Sequence, residues 1–269
     1  MQSIETTIDD RGVLTVTMNR PEVYNAFDSL MIAELTETLQ TAADHEQTRL
    51  LVITGAGSCF SAGADINWMR SQAEATQREN ERDAMLLADL MRSLNYFPKP
   101  SIARINGAAF GGGVGLLAAC DITIAVDSAL FGLTEARLGL APAVISPYVM
   151  RKIGERNARR YFLTAERFGS PQAQSIGLIQ QYVTTDKLDE SIESVIDDLL
   201  KAGPLALGSC KQLIYAVAGH DQESQKAMDE YTTGLIAGLR VMDEGQEGLA
   251  AFLEKRKPGW LLDQDKDRD

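Results

Sequence analysis

Leu50-Leu51-Val52-Ile53-Thr54 is a continuous apolar run that ends on Gly55-Ala56-Gly57. A strand apolar on both faces has to be covered on both, as strands of a parallel sheet are by their crossover helices. The flanking segments fit that frame. Ile4 to Ile8 and Val13 to Met18 surround Asp9-Asp10-Arg11-Gly12 and predict an opening hairpin. Met31, Leu35, Leu39 and Ala42 form a helical stripe that Asp28 or Ser29 can cap. A second stripe, Leu87, Leu90, Met91 and Leu94, must stop at Pro98-Lys-Pro100, because proline has no amide to donate and restricts the residue before it. Ser101 to Ile105 and Asp121 to Val126 are two further candidate strands, and strands separated by helices favour a parallel α/β sheet.

Beyond about residue 140 helical signals dominate, at Ser191 to Leu200, Leu205 to Val217, Glu223 to Leu239 and Gln246 to Lys255. The chain divides on this reading into an α/β core over 1–200 and a helical carboxy-terminal region over 201–269 of the same structural unit. The charged end, Leu262 to Asp269, is expected to fray.

Composition narrows the chemistry. With 26 Lys and Arg against 38 Asp and Glu the net charge is −12, which disfavours nucleic acid and anionic membrane surfaces. The most apolar stretch, Phe110 to Val126, is broken by Asp121 and is too short to span a bilayer. The amino terminus lacks the basic and apolar regions of a signal peptide, so a cytoplasmic location is expected. Cys59, Cys120 and Cys210 contain no paired spacing and read as reduced, buried small side chains. Only His45 and His220 are present, so no metal site is expected and the chemistry falls to carboxylates and backbone.

Two glycine-rich segments, Ser61-Ala-Gly-Ala-Asp-Ile66 and Asn106-Gly-Ala-Ala-Phe-Gly-Gly-Gly-Val-Gly115, each lie between a strand signal and a helical stretch. Each can therefore offer free backbone amides at a helix start. Glycine there also serves tight turns and close helix packing with no ligand involved. Residues 113 to 118 match a relaxed dinucleotide fingerprint, but Gly107 to Gly112 separate them from the strand and Asp127 follows too soon to hold a ribose. Glu135, in Phe131-Gly-Leu-Thr-Glu-Ala-Arg-Leu-Gly139, adds a carboxylate. Amides from two helix starts could hold a developing oxyanion while that carboxylate moves a proton, which is enolate chemistry without histidine.

Asn19-Arg-Pro-Glu-Val-Tyr-Asn-Ala26, Phe60-Ser-Ala-Gly-Ala-Asp-Ile66, Asn106-Gly-Ala-Ala-Phe-Gly-Gly-Gly113, Cys120-Asp121 and the run from Phe131 to Pro142, in this order and spacing, resemble the enoyl-CoA hydratase/isomerase (crotonase) superfamily over nearly the whole chain. The resemblance implies a spiral of ββα units with a carboxy-terminal helical trimerisation region, as a homotrimer or a hexamer built as a dimer of trimers. It also implies an acyl-CoA thioester substrate, with no cofactor beyond the coenzyme A of the substrate itself. Ala64 and Gly112 would supply the oxyanion-holding amides. Ala62, Asp65 and Ile66 would line the adenine side, with Val23 and Ala26 near the pantetheine and phosphates. Phe252 and Lys255 would reach the coenzyme from a neighbouring subunit. Each has a plainer reading: Asp65 as a helix cap, Lys255 as a cation at a helix end, Phe110 as core rather than acyl-pocket wall.

In hydratases of this family two glutamates usually flank the substrate, and Gly115 stands where the resemblance places one of them. Glu135 must then act alone, either adding water across the double bond or shuttling a proton from C2 to C4 as an isomerase. Phe110 to Leu116, Arg137 to Val149 and Gly245 to Arg256 resemble hydratases of methylglutaconyl-CoA in leucine breakdown and of carboxygeranoyl-type substrates, in which that glycine is normal. Such acyl groups carry a distal carboxylate, for which Arg137 is the candidate cation. A non-catalytic acyl-CoA-binding homologue is the remaining alternative. Acyl length should depend on residues around Trp68 to Arg78 and Ala143 to Tyr148.

Overall fold

The computed structural model describes residues 2–261. The chain opens with the predicted hairpin, β1 (Ile4–Ile8) and β2 (Val13–Met18), paired antiparallel so that Ile4 faces Met18 and Ile8 faces Leu14. Helix α1 (Ser29–Asp44) follows, and the Asp28 carboxylate accepts from the Met31 amide at 2.8 Å as its cap. β3 (Leu50–Gly55) is buried along its whole length and runs parallel to β2, as its lack of alternation requires.

From β3 onward the chain repeats one unit. β3 gives way to the short β4 (Cys59–Ser61) and the helices α2 (Ile66–Glu74) and α3 (Gln77–Asn95). β5 (Ser101–Ile105) gives way to β6 (Ala108–Phe110) and α4 (Gly112–Ala119). β7 (Ile122–Val126) gives way to β8 (Leu130–Gly132), a 3-10 turn over Glu135–Leu138, and α5 (Ser146–Thr164). The first strand of each unit joins a six-stranded sheet in the order β1-β2-β3-β5-β7-β10, and the second joins a smaller sheet in the order β4-β6-β8-β9. Neighbouring units pair in parallel, β3 with β5 with β7 and β4 with β6 with β8, so the chain winds as a spiral of ββα units.

The strand signals do not end near residue 140. β9 (Arg167–Gly169) closes the small sheet antiparallel to β8, and after α6 (Ser170–Ser175) β10 (Gln181–Val183) adds to the edge of the large one. Each has three residues, too few to display a period. Helices α7 (Leu188–Leu200), α8 (Pro204–Ala218), α9 (Gln222–Val241) and α10 (Asp243–Leu253) complete the described chain. α9 lies along α3, and α10 turns back onto α2 and the Glu135–Leu138 turn of its own chain.

One further expectation changes. Cys59 and Cys120 are buried but Cys210 is exposed, because it sits on α8, most of whose surface is uncovered in one chain. The charged end at Leu262 to Asp269 lies outside the described residues. Among the described residues no helix is long and apolar enough to cross a membrane.

Candidate active site

The two glycine-rich segments converge through Phe27. Its amide donates to the Gly63 carbonyl at 2.6 Å, and its carbonyl accepts from the Asp65 amide at 2.8 Å, forming an isolated parallel bridge with Ala64. In a bridge of this kind the intervening residue turns its own N–H to the opposite side, so the Ala64 amide is left free. The Phe27 ring packs on the start of α4, where a Cβ on Gly112 would lie 2.9 Å from it. Gly112 is the first residue of that helix, whose opening amides have no intrahelical acceptor. One aromatic residue thus backs both amides, by its backbone on one side and its ring on the other.

Glycine is required at two joints here. Gly63 (φ +89°) and Gly111 (φ +48°) take backbone angles that other residues rarely adopt. A Cβ at Gly63 would also meet the Phe110 carbonyl at 2.9 Å, and one at Gly111 would lie 3.1 Å from Glu135 Oε1. The carboxylate therefore stands directly against the loop that starts α4.

Glu135 opens the 3-10 turn that ends at Leu138, held over α4 by β8 and closed by Gly139 (φ +66°). Its Oε2 is buried and has no hydrogen-bond partner. Burial pushes its carboxyl up to about 7, opposed only by a hydrogen bond from its own amide. A carboxyl near neutrality can both take a proton and return it.

These groups share a cavity of about 290 Å³. Its walls are apolar, with Phe27, Trp68, Leu87, Val144, Ile145 and Leu249 among them. Among the described residues Glu135 is the one carboxylate on its walls, against three arginines, Arg137, Arg167 and Arg240. Two larger clefts are lined by charges that already pair, Arg11 with Glu193 and Arg104 with Asp189 in one, Lys211 with Asp121 in the other.

Of the sequence-predicted residues, the fold brings Ala62, Ala64, Phe110, Gly112, Glu135, Arg137 and Phe252 to this cavity. Phe110 is wall rather than core, with the Arg167 guanidinium 4.9 Å above its ring. Arg137 is exposed at the rim. The resemblance has Phe252 acting from a neighbour, yet it lines the cavity of its own chain, because α10 folds back over the site.

Val23, Ala26, Asp65, Ile66 and Lys255 do not line it. Asp65 is a structural hub: it caps α2 through Asn67 and Trp68, and Arg20 holds it at 2.8 Å while also donating to the Ala26 carbonyl. Ile66 is exposed at the start of α2, and Lys255 is exposed past the end of α10. Its neighbour Arg256 is taken up by Glu247 and Glu254.

The stretches expected to set acyl length do contribute walls, through Trp68, Met69, Gln72, Ala143, Val144 and Ile145. Ile145 also explains Gly115. A Cβ there would fall 2.2 Å from Ile145 Cγ2, so the room for a second carboxylate is filled by a branched apolar side chain. Phe27, Arg167 and Arg240 were not anticipated, and neither was a polar role for Gln72 within the stretch expected to set acyl length. Gln72 is 3% exposed, and its Nε2 has no partner. Arg240 Nη1 donates only to Asn80 Oδ1, at 3.3 Å, and among the described residues Arg240 is in no ion pair. Burial pulls its guanidinium down to about 10, offset in part by Asp83, which leaves it fully cationic at neutral pH.

Comparison with known proteins identifies the family and the fold. The family model for enoyl-CoA hydratase/isomerase matches residues 9–263. An enoyl-CoA hydratase of Shewanella pealeana has a crystal structure with a TM-score of 0.78 and 43% identity, covering 96% of both chains. An enoyl-CoA hydratase of Mycobacterium avium superposes with a TM-score of 0.85 at 34% identity, over 97% of this chain and 99% of that one. An enoyl-CoA hydratase of Alternaria alternata is 32% identical over 252 residues, 93% of this chain and 81% of its own length.

Proposed function

This chain belongs to the enoyl-CoA hydratase/isomerase family and is an enzyme of that type, and we propose that its reaction is reversible hydration of a 2-enoyl-CoA with Glu135 as the sole acid and base. The observation that carries the reading is the Glu135 carboxyl, poised near neutrality with Oε2 unpartnered, in the same cavity as the Ala64 and Gly112 amides.

Ionised Glu135 takes a proton from water as the water oxygen bonds to C3. The π electrons of the C2–C3 bond move into the thioester, whose oxygen becomes an enolate oxyanion held by the two amides. Each such donor is worth ~3 kcal/mol in the transition state. Glu135, now protonated, delivers the same proton to C2, the enolate collapses, and the carboxylate is restored. One water is gained. One carboxyl suffices because both transfers occur on one face and its pKa lies between the needs of the two steps.

The acyl group on this reading is branched and ends in a carboxylate, of the 3-methylglutaconyl kind met in leucine breakdown. Three arginines around one carboxylate support this in a protein whose net charge is −12. The coenzyme would follow Ala62 past Val23, Ala26, Asp65 and Ile66, with Lys255 near its phosphates, and with no other cofactor. Leu205, Leu213, Ile214 and Val217 leave an apolar face on α8 that suits assembly into trimers or hexamers, in the cytoplasm.

The test is a product assay by mass spectrometry on 2-enoyl and 3-enoyl CoA esters, including 3-methylglutaconyl-CoA. A gain of one water on the 2-enoyl esters, lost in Glu135→Gln while the variant still binds them, is the expected result. Conversion of 3-enoyl to 2-enoyl esters with no water gained would instead make the protein an isomerase, and turnover retained in Glu135→Gln would overturn the role of that carboxyl.

A further inference from the structure

The cavity has a second polar corner, away from the thioester end. Gln72 lies six residues along α2 from its first residue, Ile66, so at 1.5 Å per residue its Cα stands ~9 Å along the axis from the helix start beside Ala64. Its Nε2 is one of five buried side-chain atoms without a partner among the described residues, and of those five residues Gln72 and Glu135 are the two that line this cavity. Arg240 comes from the last turn of α9. Asn80 ties the two together: its Nδ2 donates to the Gln72 carbonyl at 2.9 Å and its Oδ1 accepts from Arg240. Asn80 is fully buried, so the corner is fixed by packing.

Both groups are donors without adequate acceptors. Leaving a buried amide N–H and a desolvated guanidinium unmatched costs stability, and such costs persist at places that receive a ligand. A carboxylate offers only acceptors and can take bonds from both. Exposed Arg137 meets a solvent-screened environment at the rim, where an ion pair is worth little. The proposed function already supplies a carboxylate on the acyl chain, and this inference rests on that reading. We propose that Gln72 and Arg240 form an anion subsite that binds the terminal carboxylate of a short dicarboxylic acyl-CoA and sets the enzyme's preference for it over the neutral ester.

The test compares glutaconyl-CoA with 2-pentenoyl-CoA, which has the same carbon count and a methyl in place of the carboxylate. Binding is measured calorimetrically in Glu135→Gln, so the readout does not depend on turnover. This single variant should bind glutaconyl-CoA the more tightly, and equal binding of the two overturns the subsite with no further mutation. Adding Arg240→Met should cut the preference by ~10- to 100-fold, and Gln72→Leu by ~3- to 10-fold. Arg240→Lys should recover part of the loss. A preference unchanged in Gln72→Leu and Arg240→Lys overturns the proposal even where Arg240→Met does not fold. Turnover of neither ester by the unmodified enzyme, together with an intact binding preference, would refute the hydratase reading and leave the subsite standing.

Discussion

On the proposed function and subsite, the two ends of the cavity recognise a substrate by different means. At the thioester end the donors are backbone amides, Ala64 and Gly112, placed by glycine joints and backed by Phe27. At the far end they are side chains, Gln72 and Arg240, from two helices joined through Asn80. A backbone donor binds what every acyl-CoA shares and cannot be exchanged by mutating its own side chain. A side-chain donor reads what differs between acyl groups and can be changed one residue at a time.

The largest test of that division is at the shared carboxyl. Glu135→Gln should lower kcat by ~10²- to 10⁴-fold on neutral and carboxylated esters alike, measured by loss of enoyl absorbance. Next, Gly111→Ala puts a Cβ 3.1 Å from Glu135 Oε1 at a backbone angle that alanine resists, and should cost ~10²-fold in kcat/KM. The loss should again be equal for both ester types; a loss confined to one would erase the distinction between the ends.

Smaller effects fall on stability and pH. Glu135 is held at about 7 in the folded chain against an ordinary 4.5, so folding favours its protonated form. That advantage is complete below pH 4.5 and is lost as pH rises to 7, which makes the carboxylate a burden of about 3 kcal/mol at pH 8. Thermal melts should show Glu135→Gln more stable than the parent at pH 8, with the difference gone near pH 4.5. By the same protonation kcat/KM for hydration should rise as pH passes through about 7, and a flat profile would assign the base elsewhere. Gly115→Ala forces Ile145 aside and should destabilise by ~1–3 kcal/mol. Smallest of all, Arg137→Gln should change the preference between ester types by less than ~threefold, since its side chain is at the exposed rim.

Part of the fold is legible in the sequence. The β1–β2 hairpin, the Asp28 cap and the fully buried β3 follow from local spacing and turn chemistry, whereas the choice of Ala64 and Gly112 as oxyanion donors rests on the family resemblance. β4, β6, β8, β9 and β10 were missed because three-residue strands are set by their neighbours in the sheet rather than by their own periodicity. α5 was missed because Gly154, with φ +72°, interrupts its helical pattern. Gln72 looks like one polar position on an amphipathic helix, and Arg240 like a cation placed at a helix carboxy terminus by the dipole.

The sequence alone determined where the chain turns and where helix starts leave amides free, because those are properties of a few adjacent residues, while the approach of Glu135 to Gly111 depends on the pairing of β6 with β8. Only the tertiary structure decided that Ile145 fills the space at Gly115, that α10 returns Phe252 to its own cavity, and that Gln72 and Arg240 share one corner. Those facts depend on α4 packing on α5 and on α2, α9 and α10 packing against one another, and desolvation, which gives Glu135 and Arg240 their character, exists only once that packing has excluded water.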